Sequence, residues 1–189
     1  MWEGGLRVPM IVAGPGIAAN SQCDKPVAQW DYLTTMHDLA GSTDALPDNL
    51  DGISLRPVLE QGNDGQLVQR DTGLVFHFPA HYTVPITSYR DGDYKLMRHL
   101  NTGEIKLFNV VRDMGESNDL SKTMPEKTVD MVRKLDAYLE KVGAWKMEEV
   151  YATRAEELEK WIADDEEKVA KINQQLRTDN LDAGLRKKL

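Results

Sequence analysis

The stretch "ITSYRDGDYKLMRHL", residues 86–100, decides the fold of the part of the chain around it. An Asp-Gly pair at 91–92 stands between runs in which apolar and polar residues alternate, which is a strong signal for a β-hairpin. The flanking runs "TGLVFHF" (72–78) and "GEIKLFNV" (103–110) also have the composition of strands. The sequence therefore predicts a small antiparallel sheet, which we expect to contain three strands.

The run "PEKTVDMVRKLDAYLEKVGAW", residues 125–145, has the spacing of an amphipathic helix. Pro125 suits the first helical turn, where no backbone amide hydrogen bond is needed. Apolar residues recur on one face, at Val129, Val132, Leu135 and Leu139. This helix is expected to cover the sheet, so residues 66–147 are predicted to form a small α+β unit.

The amino-terminal part has a different pattern. The apolar run in "LRVPMIVAGPGI" (6–17) is nearly continuous, which is typical of a strand covered on both faces of a parallel sheet. A helix is predicted within "VAQWDYLTTMHDLAG" (27–41), with Gly41 at its carboxyl end. The run "ISLRPVLEQG" (53–62) predicts a short helix or turn. Residues 1–65 are therefore expected to be of the α/β class.

The tail from residue 148 to residue 189 predicts a charged amphipathic helix. Its apolar positions alternate in spacings of four and three, with an aspartate among them: Tyr151, Ala155, Leu158, Ile162, Asp165, Val169, Ile172 and Leu176. Seven acidic residues and a single basic one, Lys160, lie between residues 156 and 167. Two interpretations stay open: a solvated helix that packs one face on the body, or self-association through this row.

Composition excludes several classes of function. The formal net charge of −8 argues against a nucleic-acid surface, which needs clustered lysine and arginine. The single cysteine, Cys23, excludes an internal disulfide framework and has no partner at zinc-site spacing. No apolar run approaches the roughly 20 residues of a membrane-spanning helix.

Three motifs of the amino-terminal part share an order with a known family. They are "WEGGLRVP" (2–9), "QWDYLTTMHDLAG" (29–41) and "LDGISLRPVLEQG" (50–62). This order resembles the end of the catalytic domain of type I sulfatases, whose members typically read Glu-Gly-Gly-x-Arg-Val-Pro, then Asp-Leu-x-Pro-Thr, then Asp-Gly-x-Ser-Leu-x-Pro-x-Leu. Thr34 stands where the family often has proline.

The following segment extends the resemblance to the smaller carboxyl-terminal subdomain of the same enzymes. Here "FHFPAHY" (76–82), "RDGDYKL" (90–96) and "LFNVVRDMGESNDL" (107–120) are similar to the family patterns His-Phe-Pro-His-Tyr, Arg-x-Gly-Asp-Trp-Lys-Leu and Leu-Tyr-Asn-Leu-x-x-Asp-x-x-Glu-x-x-Asn-Leu. The likeness covers about residues 2–147. It implies a member of the alkaline-phosphatase-like superfamily that acts on sulfate esters, plausibly of carbohydrates.

The resemblance also implies a particular nucleophile and a metal ion. The family's nucleophile is a hydrated formylglycine made within Cys/Ser-x-Pro-x-Arg, and a divalent cation, usually calcium, is held by Asp and Asn residues. Cys23 is followed by "DKPV", so proline is one place late and arginine is absent. We therefore expect no catalytic residue, no metal ligand and no bound cofactor in this chain, which would be inactive alone. Residues 1–65 would then be a truncated end of the catalytic domain, and Met1 a late start or a cut.

His77 and His81 are the candidate substrate-binding residues. They lie in the segment that resembles the family's His-Phe-Pro-His-Tyr stretch, which implies a place near the mouth of the active site. Pro79 between them and the strand context argue against a shared helical face, so they are a poor metal pair. Structural hydrogen bonding is the alternative role. Asp113 and Glu116 are expected to form a turn that caps its own backbone.

Other functions and partners remain open at this point. The parent enzyme could instead be a phosphatase or phosphonate hydrolase of the same superfamily, which the nucleophile would distinguish. The chain could also be a non-catalytic interaction module that uses its helical tail. A homodimer could form through the amino-terminal strand or through the tail. The chain itself indicates no cellular compartment, although the resemblance suggests a periplasmic or secreted parent.

Overall fold

The computed structural model describes residues 1–70, 72–79 and 84–186, with side chains described as far as residue 175. Its helices and strands follow one another along the chain: α1 (Glu3–Leu6), α2 (Asp31–Leu39), α3 (Arg56–Gln61) with a 3-10 turn (Gly62–Asp64), β1 (Leu74–Phe78), β2 (Ile86–Asp91), β3 (Tyr94–His99), β4 (Ile105–Asn109), α4 (Pro125–Lys141) and α5 (Met147–Arg186).

The four strands form an antiparallel meander in the order β1-β2-β3-β4. Asp91 pairs with Tyr94, so Gly92 and Asp93 make the two-residue turn between β2 and β3. Gly92 has a φ of 59°, in the left-handed region that favours glycine. The predicted hairpin and antiparallel sheet are confirmed, but the sheet has four strands because the hairpin supplies two of them.

Helix α4 covers one face of the sheet, as predicted. Side chains alternate between the faces of a strand, and Tyr89, Leu96 and Leu107 stand level on the face toward α4. They pack with Met131 and Leu135 into one buried cluster. The predicted apolar face of α4 is wrong at one position, because Val129 is 68% exposed and Met131 lies in the core instead.

The amino-terminal residues cover the opposite face of the sheet. Met97, Phe108 and Val110 are buried there, with the side chain of Met1 packed against this cluster. The ring of Trp2 lies 5.8 Å from that of Phe108, measured between centroids. The sheet is therefore enclosed between α4 and the first residues of the chain.

The predicted strand within residues 6–17 is wrong. Residues 7–13 belong to no strand, and Val8 and Ile11 are 65% and 95% exposed. The apolar run indicates a preference for burial, but a strand also needs a neighbouring strand that forms hydrogen bonds with its backbone amides and carbonyls. Among the described residues, β1 pairs with β2, β2 with β3 and β3 with β4. None of these pairs includes residues 7–13.

Helix α2 forms where the sequence predicts it, and Gly41 beyond its end has a φ of 62°. Its buried residues, however, are the polar Asp31 and Thr35, whereas Leu33 and Met36 are exposed. The side of α2 that faces the rest of the chain is a hydrogen-bonding surface, so an apolar stripe is a poor guide to its orientation.

Helix α5 extends away from the body of the chain. Every side chain from residue 151 to residue 175 is exposed, so the expectation that one face packs on the body is wrong. Within the described part of the chain, no helix combines the length and apolar character that crossing a membrane requires.

Candidate functional site

Four charged residues from three motifs meet beneath the amino-terminal turn. We call Glu3, Arg90, Lys95 and Glu116 the ion cluster. Lys95 Nζ lies 3.0 Å from Glu3 Oε1 and 2.6 Å from Glu116 Oε1, and its side chain is only 1% exposed. Arg90 Nη1 lies 3.7 Å from Glu3 Oε2. The sheet thereby holds the Glu-Gly-Gly turn of α1 through two basic residues of the hairpin.

Glu116 completes the ion cluster through the backbone. The amide of Glu3 donates a hydrogen bond to Glu116 Oε2 at 2.6 Å, across a sequence separation of 113 residues. Glu116 itself has a φ of 52°, which costs a non-glycine residue some strain. Two carboxylates face two basic groups, so the ion cluster is formally neutral, as buried charges must be to avoid a large desolvation cost.

The ion cluster was not predicted from the sequence. The sequence predicts only a self-capping turn for Glu116 and no particular role for Lys95. A signal did exist, because Glu3, Arg90, Lys95 and Glu116 each occupy a fixed position of the family motifs quoted above. Each charge is paired, so the arrangement supports positioning rather than proton transfer.

The neighbouring turn behaves as expected. Asp113 Oδ2 accepts a hydrogen bond from the amide of Asn118 at 2.8 Å, and Asp113 Oδ1 accepts one from the Ser117 hydroxyl at 2.9 Å. The amides of Asn118 and Ser117 favour the ionised carboxylate and hold the pKa of Asp113 below its usual value. Asp113 therefore stabilises the turn that places Glu116.

A second buried network joins α2 to the Asp-Gly-x-Ser-Leu motif. Asp31 accepts hydrogen bonds from the amides of Ala28 at 2.7 Å and Ile53 at 3.1 Å, and it is paired with Arg70. The Thr35 hydroxyl accepts a hydrogen bond from the amide of Leu55 at 2.9 Å. The aspartate and threonine of the helix motif, Asp31 and Thr35, thus fix the loop that contains Ile53 and Leu55.

His77 lies on β1 with both ring nitrogens hydrogen-bonded. Nδ1 is 2.7 Å from the Thr87 hydroxyl, and Nε2 is 2.8 Å from the carbonyl oxygen of Trp145. A carbonyl only accepts, so Nε2 carries the proton and the buried Thr87 hydroxyl can donate to Nδ1. These contacts fix β1 to β2 and to the segment after α4. They supply the structural hydrogen bonding that was the alternative to substrate contact.

His81, the other candidate, lies outside the described residues. The substrate-binding role of His77 and His81 therefore stays a prediction. A small polar cavity of about 70 Å³ is lined in part by Trp30, Asp51, Arg70 and Tyr138. The Tyr138 hydroxyl donates to Asp51 Oδ2 at 3.0 Å. The volume suits about two water molecules and is far below that of a usual ligand pocket.

The described residues do not fit the cofactors that the resemblance implies. Calcium needs six to eight oxygen ligands, and no group of three or more His, Cys, Asp or Glu side chains suited to a metal occurs in the described part of the chain. Formylglycine needs its modification motif, which the full sequence lacks around Cys23. No chemical step can be derived through either group with these residues.

Comparison with known proteins gives a consistent result. The family model described as N-sulphoglucosamine sulphohydrolase, C-terminal, matches residues 1–145. A sulfatase of Formosa agariphila is 29% identical over 157 residues, covering 76% of this chain and 28% of that protein. Choline-sulfatase of Rhizobium meliloti is 30% identical over 165 residues, covering 85% and 30%. Mouse arylsulfatase K is 29% identical, covering 71% and 25%.

Solved structures agree at the level of the fold. A Bacteroides thetaiotaomicron protein assigned as a sulfatase superposes with a TM-score of 0.54 at 26% identity, covering 75% of this chain and 30% of that one. A 2-O GAG sulfatase gives 0.53 at 28% identity, covering 70% and 29%. The chain thus spans less than a third of the length of these relatives. Since the family model covers well over half of it, the chain belongs to the family of N-sulphoglucosamine sulphohydrolase carboxyl-terminal regions.

Proposed function

We propose that this chain forms the carboxyl-terminal part of a sulfatase that hydrolyses sulfate esters. The match of the family model to residues 1–145 carries the proposal. It is supported by relatives that are named sulfatases and match 71–85% of this chain. In the parent enzyme, the residues that bind calcium and the residue that becomes formylglycine would lie outside this chain.

The role we assign to this chain is to position rather than to react. The ion cluster fixes the turn of residues 3–5 against the sheet, and the Asp31 network fixes the loop that contains Ile53 and Leu55. Neither network presents an unpaired nucleophile or base. Rigid second-layer support of this kind is what holds catalytic groups within a fraction of an ångström.

Substrate contact by this chain is a narrower proposal. Both ring nitrogens of His77 are occupied, so the predicted contact with a sulfated carbohydrate or aryl group falls to His81. In the parent enzyme, His81→Ala is expected to raise KM for a sulfated sugar with little change in thermal stability. His77→Ala should instead lower the stability. An equal loss of stability in both variants, with KM unchanged, would contradict the assignment.

The direct test compares two proteins in one assay. The purified 189-residue chain should give no calcium-dependent turnover of an aryl sulfate above the buffer rate. The product of the longest reading frame that contains it should hydrolyse aryl sulfate in preference to aryl phosphate. Turnover by the short chain would refute its inactivity, and a preference for phosphate would assign the parent to the phosphatases of the superfamily.

A further inference from the structure

Helix α5 lies beyond the residues that the family model matches, so the proposed function does not explain it. It begins at Met147, two residues after the end of that match, and continues for 40 residues. At 1.5 Å per residue, its length is about 60 Å. Helices gain most of their stability by packing an apolar face against something, and this chain covers no part of residues 151–175.

Of the large exposed apolar side chains described on α5, all but Trp161 fall in one row with heptad spacing. We call this row the α5 seam: Tyr151, Ala155, Leu158, Ile162, Asp165, Val169, Ile172 and Leu176. The larger members that are described, from Tyr151 to Ile172, are each 45–58% exposed. Alternate spacings of three and four keep such a row facing a second helix along its whole length.

Asp165 interrupts the α5 seam but is not left as an isolated charge. Lys168 Nζ lies 3.3 Å from its Oδ1 and 2.8 Å from an oxygen of Asp164. A polar residue at one seam position lowers the stability of a paired helix and restricts the ways in which it can pair. In a parallel in-register pair, the two Asp165 carboxylates would face each other in the same layer.

The charges along the tail divide into two halves of opposite sign. Within α5, residues 148–167 carry nine acidic and two basic side chains, whereas residues 168–186 carry four basic and two acidic ones. A parallel pair would set the acidic halves side by side. An antiparallel pair sets the acidic half of one helix against the basic half of the other, which favours that orientation.

We infer that α5 pairs with α5 of a second copy of this chain, antiparallel and through the α5 seam. The occupant is a second copy because a single helix carries both charge halves and the complete seam, so two identical helices complement each other. This interaction is independent of the proposed sulfatase activity, since it uses residues outside the matched family region.

The first experiment measures the oligomeric state of the full 189-residue chain by sedimentation velocity across micromolar concentrations. A reversible monomer–dimer equilibrium is expected. Ile162→Glu places a charge in the α5 seam of both copies and should raise the dimer dissociation constant by about a hundredfold or more. Ala163→Glu adds the same charge on the outward side of the same turn and should change the constant by less than about threefold.

The second experiment determines the orientation. A chain carrying Cys23→Ser and Glu148→Cys is labelled with a nitroxide, and the distance between labels in the dimer is measured by pulsed electron resonance. An antiparallel pair places the two ends of α5 apart by more than about 40 Å, and a parallel pair within about 25 Å. A monomer at every concentration, a larger oligomer, a dimer insensitive to Ile162→Glu or a short distance would each overturn the inference.

Discussion

Replacing Lys95 by methionine should destabilise the folded chain by about 3–5 kcal/mol. Lys95 Nζ lies within 3.0 Å of both Glu3 and Glu116, and at such a distance a charge pair attracts by roughly 5 kcal/mol for an effective dielectric constant near 20. The desolvation of the lysine offsets much of this attraction in the native chain. In Lys95→Met, methionine fills the space, but Glu3 keeps only Arg90 at 3.7 Å as a basic partner and Glu116 keeps only the hydrogen bond from the Glu3 amide.

The assay is urea unfolding of the full chain, followed by tryptophan fluorescence because Trp2 packs against Phe108 on the same face of the sheet. Lys106→Met is the matched control, since Lys106 stands on neighbouring β4 in a partly exposed pair with Glu104 at 3.4 Å. The control should cost no more than about 1 kcal/mol. If Lys95→Met also cost less than about 1 kcal/mol, the ion cluster would not be a determinant of stability and our reasoning would be wrong.

Three other substitutions test separate parts of the fold, each by its effect on urea unfolding. Leu107→Ala empties a fully buried site beneath α4 and should cost about 2–5 kcal/mol; a smaller loss would mean that the core collapses around it. His77→Ala leaves the buried Thr87 hydroxyl without its partner and should cost about 1–3 kcal/mol; no loss would disprove the structural role. Burial, helped by the contact with Asp51, raises the pKa of Tyr138. The unfolded tyrosine therefore ionises first, so stability should fall as pH rises above about 10, and Tyr138→Phe should lessen that fall.

The hairpin at 86–100 could be predicted because its signal is local. Gly92 supplies the positive φ that the turn needs, and the alternation on either side fixes which residues face α4. The position of α4 follows in the same way from its spacing. These elements form from contacts between residues that are near one another in the sequence.

The conformation of the amino-terminal segment, which forms no strand, could not be predicted in the same way. Val8 and Ile11 indicate that the segment favours burial, but they do not say whether a partner strand is present. Helix α2 forms as predicted, but its buried side could not be predicted from apolar spacing, because Asp31 is satisfied by backbone amides up to 22 residues away. Apolar periodicity contains no information about such polar contacts.

The ion cluster lay beyond sequence reasoning because its members are far apart in the chain. No local pattern links Glu3 to Lys95 or to Glu116, and a buried lysine looks like any surface lysine in a list of residues. These residues occupy motif positions of the family that the chain resembles, but the motifs do not indicate that their side chains are in contact.

The long separation along the sequence between Glu3 and its partners Lys95 and Glu116 affects the order of folding. The sheet joins neighbouring strands through short connections, whereas the contacts of Glu3 close loops of 92 and 113 residues. Contacts between distant residues form slowly because loop closure costs entropy before it gains any interaction. The sheet and α4 should therefore assemble first, and residues 1–6 should dock onto the finished sheet afterwards. Substitutions in the ion cluster would then accelerate unfolding while leaving the rate of folding almost unchanged.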